Sequence, residues 1–116
     1  VVIGADSRFT GAKANIMIED DFLSASGLYI NTGSHDLDTL QPTYLPVVIG
    51  RRVWCGMRVT ICAGVSIGDN AVLGAGAVVL KNMPANHVAA GVPCKAIREI
   101  ERPDRGADAD WTNFKR

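Results

Sequence analysis

The sequence predicts an all-β fold in which six-residue units stack into one continuous coil. Three observations predict it. Ile49, Cys55, Ile61, Ile67, Leu73 and Val79 recur every six residues without a break. Four positions after each stand Val53, Val59, Val65, Ala71, Ala77 and Met83, all apolar. Three positions after each, the row reads Arg52, Arg58, Gly64, Asn70, Gly76 and Asn82. Its glycines and asparagines tolerate positive φ and suit repeated tight corners. A six-residue unit has room for one short strand and one corner. So short a strand cannot bury its apolar side alone, so successive units must stack around a shared inner column. A helical period of 3.6 fails on these positions. A β-sandwich fits less well, because its strands are longer and its turns more variable.

Upstream the same phase is present but worn. Ile3 and Phe9 are six apart, whereas the stretch from Thr10 to Met17 fits no register. Ile18 with Phe22, and Ile30, return to phase, with Ser24 standing where an apolar anchor is due. Ile49 follows Ile30 by 19 positions, which is no multiple of six. An excursion must leave the coil there, and Gly33-Ser34-His35-Asp36-Leu37-Asp38-Thr39-Leu40-Gln41-Pro42 is its natural course. Such loops on a rigid scaffold carry function more often than the scaffold does. After Val79 the repeat ends, and Pro84 and Pro93 punctuate a link. Lys95-Ala96-Ile97-Arg98-Glu99-Ile100-Glu101-Arg102 then has helix-forming composition, stopped by Pro103. This predicts a short C-terminal helix capping the open end of the coil. The expected organisation is a coil over residues 1–93, with an excursion at about 33–47, and a C-terminal helix and tail over 94–116. In the tail, Trp111 and Phe114 are the apolar residues expected to pack on a neighbour or to stay mobile.

Composition narrows the function classes. The 116 residues carry a formal net charge of zero, which gives no electrostatic support for a nucleic-acid partner. A local basic patch can still hold one anionic ligand. No apolar run approaches the ~20 residues of a membrane span, and the N-terminus lacks a secretory profile. Cys55, Cys62 and Cys94 are three in number and include no close metal-binding pair. Free, buried thiols in a reducing compartment are expected, and with them a cytoplasmic protein.

Three stretches resemble a known family, the hexapeptide-repeat acyltransferases, in its galactoside, maltose and colanic-acid O-acetyltransferase branch. Ile30-Asn31-Thr32-Gly33-Ser34-His35-Asp36 is similar to the active-site loop of the colanic-acid type. Val48-Ile49-Gly50-Arg51-Arg52-Val53-Trp54-Cys55-Gly56 is similar to the coil that follows it. Val88-Ala89-Ala90-Gly91-Val92-Pro93-Cys94-Lys95-Ala96-Ile97-Arg98-Glu99-Ile100 is similar to the C-terminal signature of the galactoside type. With the hexads, the resemblance covers about residues 16–100. It implies a left-handed parallel β-helix, a homotrimer, and acetyl-coenzyme A bound between adjacent subunits. It also implies acetyl transfer to a hydroxyl of a sugar or polysaccharide-type acceptor.

A thioester is already activated, so the enzyme needs a base for the acceptor hydroxyl and a donor for the carbonyl oxyanion. Imidazole exchanges protons near neutral pH, and His35, in the matching loop, is the catalytic base that the resemblance implies. Asp36 and Asn15 are the candidates on the acceptor side, with Asp6 behind them. No residue of the Phe9-Thr10-Gly11-Ala12-Lys13-Ala14-Asn15 stretch clearly matches the family's partner for the base. The resemblance places the oxyanion donor in the main chain near Gly56 and Met57 and puts Trp54 beside the acyl group. Ala75 and Gly76 are small enough for the pantetheine arm to approach. Lys81, Lys95 and Arg98 match positions that meet the coenzyme phosphates; Leu80 stands where the family carries threonine. A carbonic anhydrase on the same scaffold typically needs three zinc-binding histidines, and only His35 and His87 are present, so no metal is expected. An amino-sugar N-acyltransferase and a non-catalytic β-helix scaffold are the alternatives.

Overall fold

The computed structural model describes residues 1–11 and 13–102. Within them each hexad becomes one short strand and one corner, and the strands line three faces of a prism. Face I carries β3 (Leu23–Ser24), β8 (Trp54–Cys55), β11 (Val72–Leu73) and β13 (His87–Ala90). Face II carries β1 (Arg8–Thr10), β4 (Tyr29–Asn31), β9 (Thr60–Ile61) and β12 (Val78–Val79). Face III carries β2 (Ile16–Ile18), β7 (Val47–Ile49) and β10 (Ser66–Ile67). Pairing along each face is parallel. Trp54 pairs with Val72, Thr60 with Val78 and Val48 with Ser66. Each partner stands three hexads further along the chain, so three hexads make one turn.

Both apolar rows of the sequence point to the axis. From Leu28 and Ile30 through Ile49, Val59, Ile61, Leu73 and Val79 the column is fully buried. Each such aliphatic side chain contributes roughly 1.5–3 kcal/mol by burial. The corners take positive φ at Arg52 (57°), Arg58 (56°), Gly64 (79°), Asn70 (61°) and Gly76 (75°). Two arginines therefore accept a left-handed conformation that the coil imposes on them. Asn82 is not among these positions. There the coil tightens: Ile67 bridges Met83 and Val72 pairs with Val88, both spacings falling two short of three hexads.

The irregular upstream region has a simple geometry. Phe9 pairs with Ile30, a spacing three longer than a regular turn. The surplus lies at the corner between β1 and β2, which is why residues 10–17 fit no register. Tyr29 pairs with Thr60, so the excursion lengthens its turn by more than two hexads. It folds as a hairpin of β5 (Gly33–His35) and β6 (Pro42–Tyr44), and the coil resumes at Val47. Ser24 fills its anchor position, 3% exposed, with its hydroxyl accepting the Gly4 amide at 3.4 Å.

The expected C-terminal helix is not formed. Lys95–Glu99 is a strand, β14, antiparallel to β13. The segment between Cys94 and Pro103 is too short for a helix without tertiary support. Meanwhile β13 is the last parallel strand of face I and offers an open edge. Gly91, at φ 100°, turns the chain back onto that edge. The segment thus closes the stack, as the helix was expected to, by pairing. The tail with Trp111 and Phe114 lies outside the described residues.

The inward row carries the stability. Leu73→Ala is expected to cost about 2–5 kcal/mol in chemical denaturation, and Ser66→Ala, at an outward position, less than about 0.5 kcal/mol. Similar losses from both would contradict the assigned faces.

Candidate active site

The excursion leaves the coil at the edge between faces II and III and is pinned there at both ends. The Thr32 hydroxyl, fully buried, donates to the Gly11 carbonyl at 2.6 Å. The Leu45 amide donates to the Thr32 carbonyl at 2.9 Å, and the Val47 amide to the Asn15 carbonyl at 3.0 Å. Gly11 and Asn15 bracket the surplus of the first turn, so that enlarged corner is the floor on which the hairpin stands. Gly11 has to be glycine: its φ is 99°, and a Cβ would lie 2.8 Å from the Gly33 amide nitrogen.

Strand alternation then sets which side chains share a face. Within β5, Gly33 and His35 are two apart and so lie on one side. Asn31 accepts the Gly33 amide on its Oδ1 at 2.8 Å, an Asx turn at which the chain leaves the coil for β5. His35 itself is exposed, and no hydrogen bond reaches its ring among the described residues. Asp36 turns the other way. Its Oδ1 accepts the amides of Asp38 and Thr39, both at 2.9 Å, and shapes the hairpin tip. Those amides, Thr39 first, hold its carboxyl below the ordinary value of 3.8.

A second group of predicted residues gathers at the edge between faces I and II. The corner after β8 holds Gly56 and Met57, and the corner one turn on holds Ala75 and Gly76. The Gly76 amide donates to the Met57 carbonyl at 2.8 Å, so the two corners are stacked. The Gly56 amide donates to the Leu73 carbonyl at 2.8 Å, which removes it as an oxyanion donor and leaves the Met57 amide. A Cβ on Gly76 would meet nothing within 4 Å, so the space beside it is open. Trp54 stands outward on face I, opposite Val72. Val72 is opposite Val88, and Val88 opposite Arg98. Residues directly opposite share a sheet face, so Trp54, Val72, Val88 and Arg98 form one outer strip. At about 4.8 Å per strand, Arg98 lies roughly 14 Å from Trp54. Lys95, opposite Ala90, flanks the strip.

The structure thus divides the predicted residues between two edges. His35, Asp36, Asn15 and Lys81 belong to the II–III edge. Trp54, Met57, Ala75, Gly76, Lys95 and Arg98 belong to face I and its edge with face II; Asp6 lies at that edge too, in the first turn, away from the hairpin. The thiols play no part. Burial, and then Cys94 nearby, push the Cys55 thiol up to about 12, and burial raises Cys62 and Cys94 as well. His87 has Nδ1 2.8 Å from the Ala85 carbonyl, which makes that nitrogen a structural donor. Among the described residues no group of three or more His, Cys, Asp or Glu is placed to hold a metal ion. No helix there is long and apolar enough to cross a membrane. Sequence reasoning passed over Thr32, Asn31, Lys13 and Tyr44, although the register break at residues 10–17 marked the corner that holds Lys13.

Comparison with known proteins places this geometry. The bacterial transferase hexapeptide family (six repeats) matches residues 46–81. Galactoside O-acetyltransferase of Escherichia coli is 57% identical over 60 residues, which are 52% of this chain and 30% of that protein. A maltose O-acetyltransferase from Clostridium difficile superposes with a TM-score of 0.72 at 38% identity, covering 86% of this chain and 59% of its own. A galactoside acetyltransferase in complex with coenzyme A gives 0.74 at 39% identity, covering 79% and 48%. The coil is the left-handed parallel β-helix. The chain spans less than two thirds of the length of each of these proteins.

The Asp36 turn has a testable titration. A depressed folded value means that its stabilisation of the tip is present above pH 3.8 and is lost as pH falls through the lowered value. By NMR, the Asp36 carboxyl is expected to titrate below 3.8, with faster amide exchange at Asp38 and Thr39 once it is protonated. A midpoint at or above that ordinary value would contradict the turn.

Proposed function

We propose, for a chain that belongs to the hexapeptide-repeat acetyltransferase family, transfer of an acetyl group from acetyl-coenzyme A to a hydroxyl of a sugar or polysaccharide-type acceptor. The observation that carries this reading is the outer strip from Trp54 to Arg98, with the open corner at Gly76 and the Met57 amide beside it. A long ligand that is thioester at one end and polyanionic at the other suits a strip that is apolar at one end and cationic at the other. Arg98 and Lys95 meet the phosphates, and Ala75 and Gly76 leave room for the arm. Lys81 reaches the same ligand from the neighbouring subunit's side of the cleft.

Acetyl-coenzyme A supplies an acyl group that is already activated, so no covalent enzyme intermediate is needed. His35 takes the proton from the acceptor hydroxyl as that oxygen bonds to the acetyl carbon. The Met57 amide donates to the carbonyl oxygen as negative charge gathers there. His35 then returns its proton to the departing sulfur as the carbon–sulfur bond breaks. The products are an acetyl ester and the free thiol, and the base is restored. Asn15 and Asp36 stand on the acceptor side, Asp36 through the shape of the hairpin tip.

The two halves of this machinery lie on different edges of one prism. Met57 sits between faces I and II, whereas His35 leaves between faces II and III. A second copy whose II–III edge faces the strip brings them together. A closed ring makes such a contact without an unpaired end, and the family resemblance implies three copies, so the active form in this reading is a homotrimer with its sites between subunits.

The test is thiol release from acetyl-coenzyme A across a panel of sugars and amino sugars. His35→Ala is expected to lower turnover by about 10²–10⁴-fold with the oligomer unchanged on gel filtration. Turnover within threefold of the parent would sink the assignment of the base. Transfer to amino sugars alone would make it an N-acyltransferase.

A further inference from the structure

One cation beside the hairpin has no part in the scheme above. The Lys13 ammonium sits over the Tyr44 ring, 5.5 Å from its centroid. Lys13 makes no ion pair among the described residues. The main chain is held on both sides of it, the Gly11 carbonyl by Thr32 and the Asn15 carbonyl by Val47. Lys13 thus reaches the hairpin from a corner whose ends are both bonded to it or to its exit.

Tyr44 ties this cation to the base. It is the cross-strand partner of Gly33, as Pro42 is of His35. Directly opposed residues share a face, and His35 is two positions from Gly33 on the same face. A Cβ built on Gly33 would lie 3.6 Å from Tyr44 Cε1, which puts the ring on that side. His35 and Tyr44 are then diagonal neighbours, about 7–8 Å apart. Both carboxylates that follow His35 lie at the hairpin tip, and Asp36 is engaged there by two amides.

We propose that Lys13 binds an anionic group of the acceptor, so that the preferred acceptor is a carboxylate- or phosphate-bearing saccharide. Tyr44 is a positioning residue that holds the ammonium over its ring, one diagonal step from His35. The inference rests on the acetyl-transfer reading, to which it adds the charge of the acceptor. It differs from the coenzyme contacts in place, since Lys13 stands at the floor of the hairpin, Lys95 and Arg98 on face I, and Lys81 on the II–III edge three turns further along.

The experiment compares matched acceptors: methyl glucuronide, glucose 6-phosphate and methyl glucoside, with their galacto counterparts, in thiol release by the full chain. At least one anionic acceptor is expected to exceed its neutral match tenfold or more in kcat/KM, the scale of one hydrogen bond to a charged group. The uronide and phosphate arms show which anion is read. Lys13→Gln should erase that preference through KM for the acceptor, with KM for acetyl-coenzyme A unchanged. Tyr44→Phe should keep the preference and Tyr44→Leu should weaken it; in the parent the preference should also fall with added salt. Equal use of neutral and anionic acceptors would overturn the inference, as would a Lys13→Gln effect on the KM of acetyl-coenzyme A alone. Thiol release from none of the acceptors would instead overturn the acetyl-transfer reading itself.

Discussion

Everything in this molecule depends on the main-chain ladder between turns three hexads apart. A strand of two residues has almost no stability of its own. It persists because its amides and carbonyls are met by the turns before and after, and because its inward side chain adds to a column already dry. The ladder also dictates the corners. Arg52 and Arg58 take a conformation that arginine avoids, since any other would break the stacking of three consecutive faces. Where the turn falls two short of three hexads, the regular corner disappears and the coil soon ends against β14.

Rigidity of that kind makes departures from it informative. The first turn is longer than three hexads by half a hexad and the next by more than two, both at the same edge. The longer departure is pinned onto the shorter one through Thr32, Gly11, Asn15 and Val47. His35 thus stands on a hairpin whose foundations are as fixed as the coil, although the residue itself is exposed. The opposite edge contributes differently. There the proposed site offers main-chain atoms and missing side chains: the Met57 amide, beside a Gly56 whose own amide serves the ladder, and the space left beside Gly76.

The coil was legible in the sequence because its period is enforced by every turn at once. Residues 49–83 show the two inward rows and the corner row with no gap, and the structure follows the inward rows position by position. The corner row holds as far as Gly76 and lapses at Asn82, where the turn shortens. The hairpin was legible as a break in phase, but not as a hairpin, since nothing in residues 33–47 alternates strongly. The C-terminal segment was misread for a physical reason. Local composition favoured a helix, whereas the deciding factor was the vacant edge of β13, which only the assembled face reveals. For the proposed site, motif and size offer His35 and the small residues at 75 and 76 as candidates. That Gly56 gives its amide to Leu73, or that Lys13 lies over Tyr44, depends on contacts between distant parts of the chain. No local pattern encodes such contacts.

On the proposed reading, one site is built from the hairpin of one copy and the outer strip of another. Complementation between two inactive variants tests it most directly. His35→Ala removes the base, and the pair Lys95→Glu with Arg98→Glu reverses the charge at the end of the strip. Each variant alone should be inactive, the second because acetyl-coenzyme A no longer binds. Unfolded together and refolded as mixed assemblies, they should recover about a quarter of the parent activity, the share of contacts that pair an intact hairpin with an intact strip in a closed ring. Mixed assemblies as inactive as their parts would show that each chain builds its site alone, and would contradict the account.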